Sequence, residues 1–331
     1  MPNIAQRLGS LKGRKISQKF RANGKLLLTG EYFVLDGAKA LAIPVRFGQV
    51  MHVKESPGSE IIWSSHDHTG ETWFSAKFDL LDFKATRTTD PAISDPLTQI
   101  FKAACNLNSD FLSKWKKYRV DTYLEFDRQW GLGSSSTLIA CMADWADVNP
   151  YLLLFNTLGG SGYDVACANA EGPVLYQLGE EELHISHVDF DPPFKTNLYI
   201  IYLGQKQDSG EARKHYYKHR SQSNGALQKI SELSERILEI ETLSGFESAL
   251  NEHEAIISKS LNLPTVKSTR FADYWGTVKS LGAWGGDFVL ATSSATPEET
   301  RAYFEAKGHS TVFRFAEMLL STPDPVKPLV S

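Results

Sequence analysis

Hydrophobic and polar residues follow two periods along this chain, one typical of strands and one typical of helices. Residues 72–78 alternate between apolar and polar types, which predicts a half-buried strand. Residues 20–32 are predicted to form a strand, a tight turn and a second strand, with Gly24 and Gly30 as the turn residues. Apolar runs predict further strands at 45–55, 60–64, 118–126, 197–203 and 287–292.

Helical segments lie between these strands. Residues 96–105 and 138–146 are predicted helices, and a third begins with Asn149 as N-cap and Pro150 at its first position. Gly159 and Gly160 are predicted to end that helix. Two later helices carry apolar stripes whose expected role is to face a core: Leu227, Ile230, Leu233, Ile237, Leu238 and Leu243, then Phe246, Leu250, Ile256, Ile257 and Leu261.

A last helix has clear start and stop signals. Thr296, Pro297 and Glu299 have the types and spacing of a capping box, and Gly308 is the predicted end. The chain before Pro192 and Pro193 is mixed and rich in strands, whereas long helices follow them. The 331 residues therefore predict an α+β protein with a boundary near residue 190, giving parts 1–190 and 191–331.

Composition is that of an ordinary soluble globular protein, with 42% hydrophobic and 22% charged residues. The formal net charge of −4 gives no reason to expect a nucleic-acid partner. No apolar run approaches a membrane span, and the beginning of the chain lacks a secretory signal. Three scattered cysteines, Cys105, Cys141 and Cys167, argue against a disulfide framework or structural zinc, so we expect a cytoplasmic protein.

The first thirty residues contain basic residues but no Asp or Glu before Glu31. An organelle transit peptide is poor in acidic residues in this way. The alternative is a short basic extension that leads into the first strand. We favour the extension, because the candidate chemistry already begins by Asn23.

The most informative stretch is Gly-Leu-Gly-Ser-Ser-Ser-Thr at 131–137, between a predicted strand and a predicted helix. Two glycines allow a tight turn and a close backbone approach to a ligand. Hydroxyl groups then meet the unpaired N–H groups and positive dipole end of a helix. This combination suits phosphate, although a glycine turn with a serine N-cap is the simpler alternative.

Three further glycine-rich segments occur, at 22–32, 159–164 and 281–288. Together with 131–137, the set resembles the GHMP kinase superfamily of galactokinase, homoserine, mevalonate and phosphomevalonate kinases. The similar stretches are 24–31, 131–135, 161–164 and 282–288, in the family's order. Gly-Glu-Tyr at 30–32 and Gly-Gly-Asp at 285–287 make phosphomevalonate kinases the nearest relatives, with mevalonate kinases next.

The resemblance implies a GHMP kinase fold: a ribosomal S5-like N-terminal ATP-binding domain and a ferredoxin-like C-terminal domain. It implies that ATP and Mg²⁺ are the cofactors. The hydroxyl of Ser134 or Ser135 is expected to reach Mg²⁺, which prefers oxygen ligands, and Ser134 is the ligand we name. The residues expected to bind the ATP phosphates are Gly131, Leu132, Gly133, Ser134, Ser135 and Ser136.

The resemblance also implies a catalytic pair, Lys25 and Asp164. Lys25 would neutralise charge on the transferred group, and Asp164 would accept the substrate proton or orient the acceptor oxygen. Glu31 would orient Lys25 or the substrate. The expected substrate-binding residues are Glu31, Tyr32, Ser161, Gly162, Gly282, Ala283, Gly285 and Gly286.

Simpler interpretations exist for several of these residues. A lysine in a strand turn is usually solvated, and Asp164 has the position of a helix N-cap. The run His66-Asp67-His68 is more typical of a hairpin turn than of a metal site, since no third ligand lies nearby in sequence.

The chain departs from the family pattern in four places. Asn23 replaces the usual proline, and Trp284 stands where glycine is usual. The stretch 137–163 is shorter than in most relatives. It also lacks the second carboxylate that mevalonate kinases use for Mg²⁺, because no Asp or Glu lies between Val148 and Tyr163.

The expected function is therefore transfer of the γ-phosphoryl group of ATP to mevalonate or phosphomevalonate, a step of isoprenoid biosynthesis. The partner would be a small molecule, with no nucleic acid or membrane, and the protein a monomer or homodimer. The alternatives are an ATP-dependent diphosphomevalonate decarboxylase, a sugar kinase of the same fold, and a non-catalytic binding protein.

Overall fold

The structure, a computed structural model, describes residues 17–180, 182–204, 214–218, 225–282, 284 and 286–320. The chain forms two compact units, each built from segments distant in sequence. The first unit contains residues up to Ala22, Gln49–Glu125 and Leu138–Gly159. The second contains Asn23–Gly48, Phe126–Thr137 and the chain from Gly160 onward. The boundary near residue 190 stays a prediction.

The first unit is a sheet with helices. Its strand order is β5-β4-β3-β6-β2; β3 and β6 are parallel and the other neighbours antiparallel. These strands are β2 (Ala40–Pro57, from Gln49 on), β3 (Glu60–His66), β4 (Thr72–Asp79), β5 (Ala85–Thr88) and β6 (Lys116–Leu124), preceded by the start of β1 (Ser17–Leu27). The helices are α1 (Pro91–Leu107), most of α2 (Ser134–Ala146) and α3 (Pro150–Phe155).

Helix α1 covers the sheet of the first unit through aromatic contacts. The Phe101 ring lies 5.9 Å from Trp63 and 5.3 Å from Phe78, centroid to centroid. The helix begins five residues before the predicted start at 96, because the Asp90 carboxylate accepts a hydrogen bond from the N–H of Ala92 (2.9 Å) and Pro91 takes the first position. Pro96 therefore lies inside the helix.

The second unit contains an antiparallel sheet with the strand order β10-β11-β9-β12. It also contains β7, which pairs with the first residues of β2 on one side and with β8 on the other. Its strands are β7 (Val174–Leu178), β8 (Leu183–His187), β9 (Leu198–Tyr202), β10 (Val278–Leu281), β11 (Phe288–Thr292) and β12 (Val312–Arg314). Its helices are α4 (Tyr163–Ala168), α5 (Ala226–Arg236), α6 (Leu243–Leu261), α7 (Val266–Arg270), α8 (Pro297–Ala306) and α9 (Phe315–Met318), and residues 214–218 are also helical.

The predicted local signals of the second unit are present. The Thr296 hydroxyl accepts from the N–H of Glu299 (3.2 Å), and the Glu299 carboxylate accepts from the N–H of Thr296 (2.9 Å), so the capping box is confirmed. The buried stripe residues of α5 and α6 include Ile230, Leu233 and Leu250, as the helical period predicts. The prediction for Leu227 is wrong, because this residue lies in the first turn of α5 and is exposed. None of the helices in the described ranges is long and apolar enough to cross a membrane.

The prediction of a turn at Gly24 is wrong. Strand β1 runs without a break from Ser17 to Leu27, past Gly24, and no second strand follows at 28–32. The predicted turn at Gly30 is present, with φ +90°, and a short helical turn, Phe33–Asp36, comes after it. The absence of a side chain at Gly24 serves close packing of the strand and not a turn of the chain. A Cβ atom there would lie 2.9 Å from Val45 Cγ2 and 3.0 Å from the carbonyl oxygen of Leu132. The backbone of β1 therefore approaches the 131–133 loop closely at this point.

Candidate active site

Strand β1 brings Lys25 to the glycine-serine loop. The N–H of Lys25 donates to the carbonyl oxygen of Leu132 (3.1 Å). The Lys25 Nζ lies 3.0 Å from Asp164 Oδ1, which belongs to the first turn of α4. A Cβ on Gly133 would lie 3.3 Å from Lys25 Cε and 3.7 Å from that carboxylate oxygen. The structure thus places the predicted catalytic pair directly against the predicted phosphate loop.

The loop has the backbone that its glycines predict. Gly131 and Gly133 both have left-handed φ angles, +64° and +86°. Helix α2 begins at Ser134, and the N–H groups of Ser136 and Thr137 donate to the carbonyl oxygen of Gly133 (both 3.0 Å). The first N–H groups of a helix have no partner within it, so the loop and the start of α2 present donors to a ligand.

Trp130 anchors the beginning of this loop. Its ring lies 5.7 Å from Phe47, 5.9 Å from Phe288 and 5.4 Å from Phe313, all in edge-on geometry. Phe288 is fully buried, whereas the other rings are half-buried. The residue that precedes Gly131 is therefore held by packing, which leaves the next residues free to follow the turn that the glycines allow.

Lys25 is held in its charged form. Burial by itself would lower the pKa of Lys25, but the Asp164 carboxylate and then the Tyr163 hydroxyl outweigh it and raise that pKa above its ordinary value. An ammonium group that stays charged can neutralise phosphate charge but cannot act as a base. Asp164 is not the N-cap of α4, because Gly162 takes that position with φ +93°.

Tyr163 is a site residue that the sequence pattern did not single out. Lys25 Nζ lies 5.4 Å from the centroid of its ring. Burial, and then the neighbouring Asp164, raise the pKa of Tyr163 well above its usual range. A neutral phenol therefore borders the ammonium group. The aromatic residue between Gly162 and Asp164 was the available signal, but a motif that allows any residue there gives it no weight.

Glu31 lies in a different cluster from Lys25. Its carboxylate, 1% exposed, accepts a hydrogen bond from the Lys279 Nζ and lies 3.3 Å from His253 Nε2. Glu31 thus forms a buried ion pair with Lys279, and its role in orienting Lys25 or the substrate stays a prediction. Lys279 and His253 were missed as site residues, since an isolated lysine in a strand and an isolated histidine in a helix carry no motif.

Tyr32 and Trp284 are joined by a hydrogen bond. The N–H of Trp284 donates to the Tyr32 hydroxyl oxygen (2.6 Å), and the indole Nε1–H of Trp284 donates to the carbonyl oxygen of Pro264 (2.9 Å). Trp284, the bulky residue in the third glycine-rich segment, is therefore held through both its backbone and its side chain. Burial raises the pKa of Tyr32 to about 12, so its hydroxyl is neutral.

The remaining predicted substrate residues lie near these elements. Ser161 is buried, and its carbonyl oxygen accepts from the Tyr176 hydroxyl. Gly282 has φ +79° with open space around its α-carbon, and Gly286 is buried. Ala283 and Gly285 lie outside the described residues.

Asp287 connects the third glycine-rich segment to the phosphate loop. A Cβ on Gly131 would lie 1.7 Å from Asp287 Oδ2, so this carboxylate occupies the space where a side chain at 131 would be. Only glycine at 131 permits that contact. Asp287 thus explains why the loop opens with glycine.

Comparison with known proteins gives matches among solved structures alone. No family model matches the chain, and no curated protein matches its sequence. Phosphomevalonate kinase from Streptococcus pneumoniae, in complex with phosphomevalonate and AMPPNP, has a TM-score of 0.66 at 18% identity over 90% of this chain and 99% of that one. Mevalonate kinase from Methanococcus jannaschii has a TM-score of 0.66 at 14% identity, over 91% of this chain and 98% of that one. Galactokinase from Lactococcus lactis, complexed with galactose, has a TM-score of 0.64 at 12% identity, over 92% of this chain and 94% of that one.

The chain has the GHMP-kinase fold. The fold class predicted from the sequence is therefore confirmed. At these identities the similarity is one of fold, so the chemistry must be argued from the residues of this chain.

One departure from the GHMP-kinase pattern has a structural explanation. Asn23, where proline is usual, donates through Nδ2 to the carbonyl oxygen of Ala170 (2.9 Å). Ala170 follows closely after α4, which carries Asp164. The side chain of Asn23 thus adds a hydrogen bond between the strand that carries Lys25 and the residues after the helix that carries Asp164. A proline side chain could not make this bond.

Proposed function

We propose that this protein is an ATP-dependent kinase that phosphorylates a small acidic acceptor, mevalonate or phosphomevalonate. The observation that carries the proposal is the Lys25–Asp164 pair, 3.0 Å apart and packed against Gly133 of the glycine-serine loop. Phosphoryl transfer needs positioning and charge neutralisation more than covalent chemistry, and this arrangement offers both.

Each residue then has a defined task. The N–H groups at the loop and the start of α2 would bind the ATP phosphates, with Gly131 to Ser136 as the binding segment. Lys25, held in its charged form, would neutralise charge that develops on the transferred group. Asp164, whose side chain is 24% exposed, would orient the acceptor oxygen and receive its proton.

The residues around the loop fit a magnesium ion. Mg²⁺ needs one or two carboxylates and takes its other ligands from water and phosphate. Asp164 lies beside Gly133, and the partly exposed Ser134 follows it. Ser134 and Asp164 would hold the ion, which neutralises phosphate charge when bound.

The acceptor class rests on the resemblance in the first and third segments. Gly-Glu-Tyr at 30–32 and Gly-Gly-Asp at 285–287 are typical of phosphomevalonate kinases. A similar structure, that of the S. pneumoniae enzyme, was solved with phosphomevalonate. We therefore place phosphomevalonate first among acceptors and mevalonate second.

The test is ADP formation by the purified protein with Mg-ATP and a panel of phosphomevalonate, mevalonate, diphosphomevalonate and simple sugars. We expect turnover with one of the first two. Lys25→Met should lower kcat about 100- to 1000-fold by removing a charge that stabilises the transition state. Asp164→Asn should lower it about 100-fold or more. Lys84→Met is the matched control, because the Lys84 side chain is 77% exposed.

Other results would identify the alternatives. Release of carbon dioxide from diphosphomevalonate would indicate a decarboxylase, and turnover of sugars alone a sugar kinase. Failure to bind Mg-ATP in calorimetry would indicate a non-catalytic protein. Full activity of both Lys25→Met and Asp164→Asn would contradict the roles assigned to them.

A further inference from the structure

A group of buried ionisable side chains lies outside the chemistry described above. It consists of Glu31, His253, Glu254 and Lys279, with exposed fractions of 1%, 0%, 3% and 0%. Glu31 follows Gly30 on the first glycine-rich segment, the next two belong to α6, and Lys279 belongs to β10. Burying ionisable side chains is unfavourable unless they pair or become neutral, so the arrangement of these four is more specific than packing alone requires.

The backbone beside Glu31 is in an uncommon conformation. Gly30 has φ +90°, and Tyr32, a bulky residue, has φ +63°. A Cβ on Gly30 would lie 2.5 Å from Ala40 Cβ, so the turn is also tightly packed. Such a backbone persists only where the surrounding contacts hold it.

Contacts from two directions hold this turn. From α6, His253 Nε2 accepts the N–H of Gly30 (3.0 Å). Burial, and then the charge of Lys279, lower the pKa of His253 well below its ordinary value, so the ring is neutral and can accept. From β10, Lys279 Nζ donates to the Glu31 carboxylate and to the carbonyl oxygen of Ser280 (2.8 Å).

The third glycine-rich segment continues from Lys279 and touches both other parts of the site. Its Trp284 N–H donates to the Tyr32 hydroxyl (2.6 Å), next to Glu31. At its far end, Asp287 packs on the α-carbon of Gly131. Lys279 and Trp284 therefore contact the first segment, and Asp287 contacts the phosphate loop.

We propose that Glu31 and Lys279 are positioning residues, a buried pair that fixes the Gly30–Tyr32 turn to strand β10 and, through Trp284 and Asp287, sets the geometry of the phosphate loop. Its consequence for catalysis rests on the proposed kinase function. The pair does not touch the reacting groups; it acts through Tyr32, Trp284 and Asp287.

A purely structural role makes a different prediction. Buried ion pairs can often be replaced by apolar residues of similar volume without loss of stability, whereas removal of one partner is strongly destabilising. The double substitution Glu31→Leu with Lys279→Met therefore separates stability from positioning. Each single substitution leaves one charge buried and serves as the destabilised reference.

The experiment compares the wild type with this double variant. We expect a urea midpoint near that of the wild type, weaker binding of Mg-ATP because the phosphate loop shifts, and a kcat lowered about 10- to 100-fold, since small misplacements at a site have effects of that size. We also expect faster amide hydrogen exchange at residues 30–33. The matched control replaces Lys39 and Glu235, an ion pair whose side chains are 33% and 49% exposed, in the same way. That control should change none of these quantities.

The outcomes are distinguishable. A double variant that regains kcat together with stability would overturn the positioning role. If the wild type shows no activity with any acceptor, the proposed function fails, and hydrogen exchange still decides the inference. Exchange at 30–33 as slow as in the wild type would then contradict it, and faster exchange at unchanged global stability would support it.

Discussion

Gly133 occupies a left-handed backbone position, φ +86°, with the Lys25 side chain directly over its α-carbon. The α-carbon has to be bare for two reasons. A Cβ would strain the backbone, and it would press on Lys25 Cε at 3.3 Å and approach the Asp164 carboxylate at 3.7 Å. One residue type thus allows the phosphate loop and the charged pair to lie in contact.

We expect Gly133→Ala to abolish Mg-ATP binding or weaken it at least about tenfold, because the loop and Lys25 must both shift. Isothermal titration calorimetry measures this effect. Gly70→Ala is the matched control, since Gly70 has nearly the same φ, +87°, with open space around it. In this control the new Cβ strains the backbone but contacts no neighbouring atom. Equal losses of affinity in the two variants would refute the argument.

Glu254 supplies a test of electrostatics at a single residue. Its carboxylate faces Lys279 at 3.8 Å, and Glu31 and His253 are the other ionisable groups of the cluster. Burial, and then the charge of Glu31 against the opposing effect of Lys279, raise the pKa of Glu254 to about 8. The folded protein therefore keeps this proton up to about pH 8, whereas the unfolded chain releases it near 4.5.

The sign follows from that difference. Between the two pKa values the folded state binds more protons than the unfolded state, so this group's contribution to stability falls as pH rises, by at most about 1.4 kcal/mol per unit. Glu254→Gln removes the dependence. Its free energy of unfolding should therefore rise relative to the wild type between pH 5 and pH 8, in urea titrations. Glu252→Gln, on the same helix and exposed, should run parallel to the wild type.

Among the elements, strand β1 does more than its sequence pattern predicts. It is an unbroken strand that carries Gly24 against Val45 and Leu132, Lys25 against Asp164, and Asn23 against Ala170. Alternate residues of a strand point to opposite sides, so one short stretch reaches several neighbours at once. The unbroken course of β1 therefore helps to form the site.

Gly24→Ala tests this close approach at the level of the strand. A Cβ would meet Val45 Cγ2 at 2.9 Å and the carbonyl oxygens of Leu132 and Phe47 at 3.0 Å, so the strand must move away from the loop. We expect a loss of about 1–3 kcal/mol in the free energy of unfolding, the usual effect of overpacking. Urea denaturation measures it. Wild-type stability of Gly24→Ala would contradict the packing argument.

At the scale of the whole molecule, sequence reasoning predicted what local patterns encode. Strands β3, β4, β6, β9 and β11, the capping box at Thr296 and the four glycine-rich segments all have signals within a few residues. Strands β5, β7, β8, β10 and β12 were not predicted. The Glu31–Lys279 pair has none, because its partners are 248 residues apart and each looks ordinary alone. Gly24 was misread as a turn because a glycine that permits close packing looks the same in sequence as one that turns the chain.

Ligand binding should be visible in the stability of the whole chain. A ligand that binds only the folded state adds about 2.7 kcal/mol of stability at 100 times its Kd. We expect Mg-ATP to raise the Tm by several degrees in differential scanning fluorimetry, and removal of Mg²⁺ with EDTA to reduce the shift, because the ion neutralises the phosphates. AMP should give a smaller shift, since it lacks the phosphates that the loop would hold. Equal shifts with AMP and Mg-ATP would contradict the assignment of the loop.

The interleaving of the two compact units has a consequence for how this protein is made. The second unit combines Asn23–Gly48 with chain that begins at Gly160. Ribosomes add about 5–20 residues per second, so strand β1 emerges roughly 7–27 s before the helix that carries Asp164. During that interval β1 can pair with β2 but lacks its native neighbours from the chain after Gly160. Nascent chains of this protein are therefore expected to need chaperone protection early, well before the charged pair of the site can form.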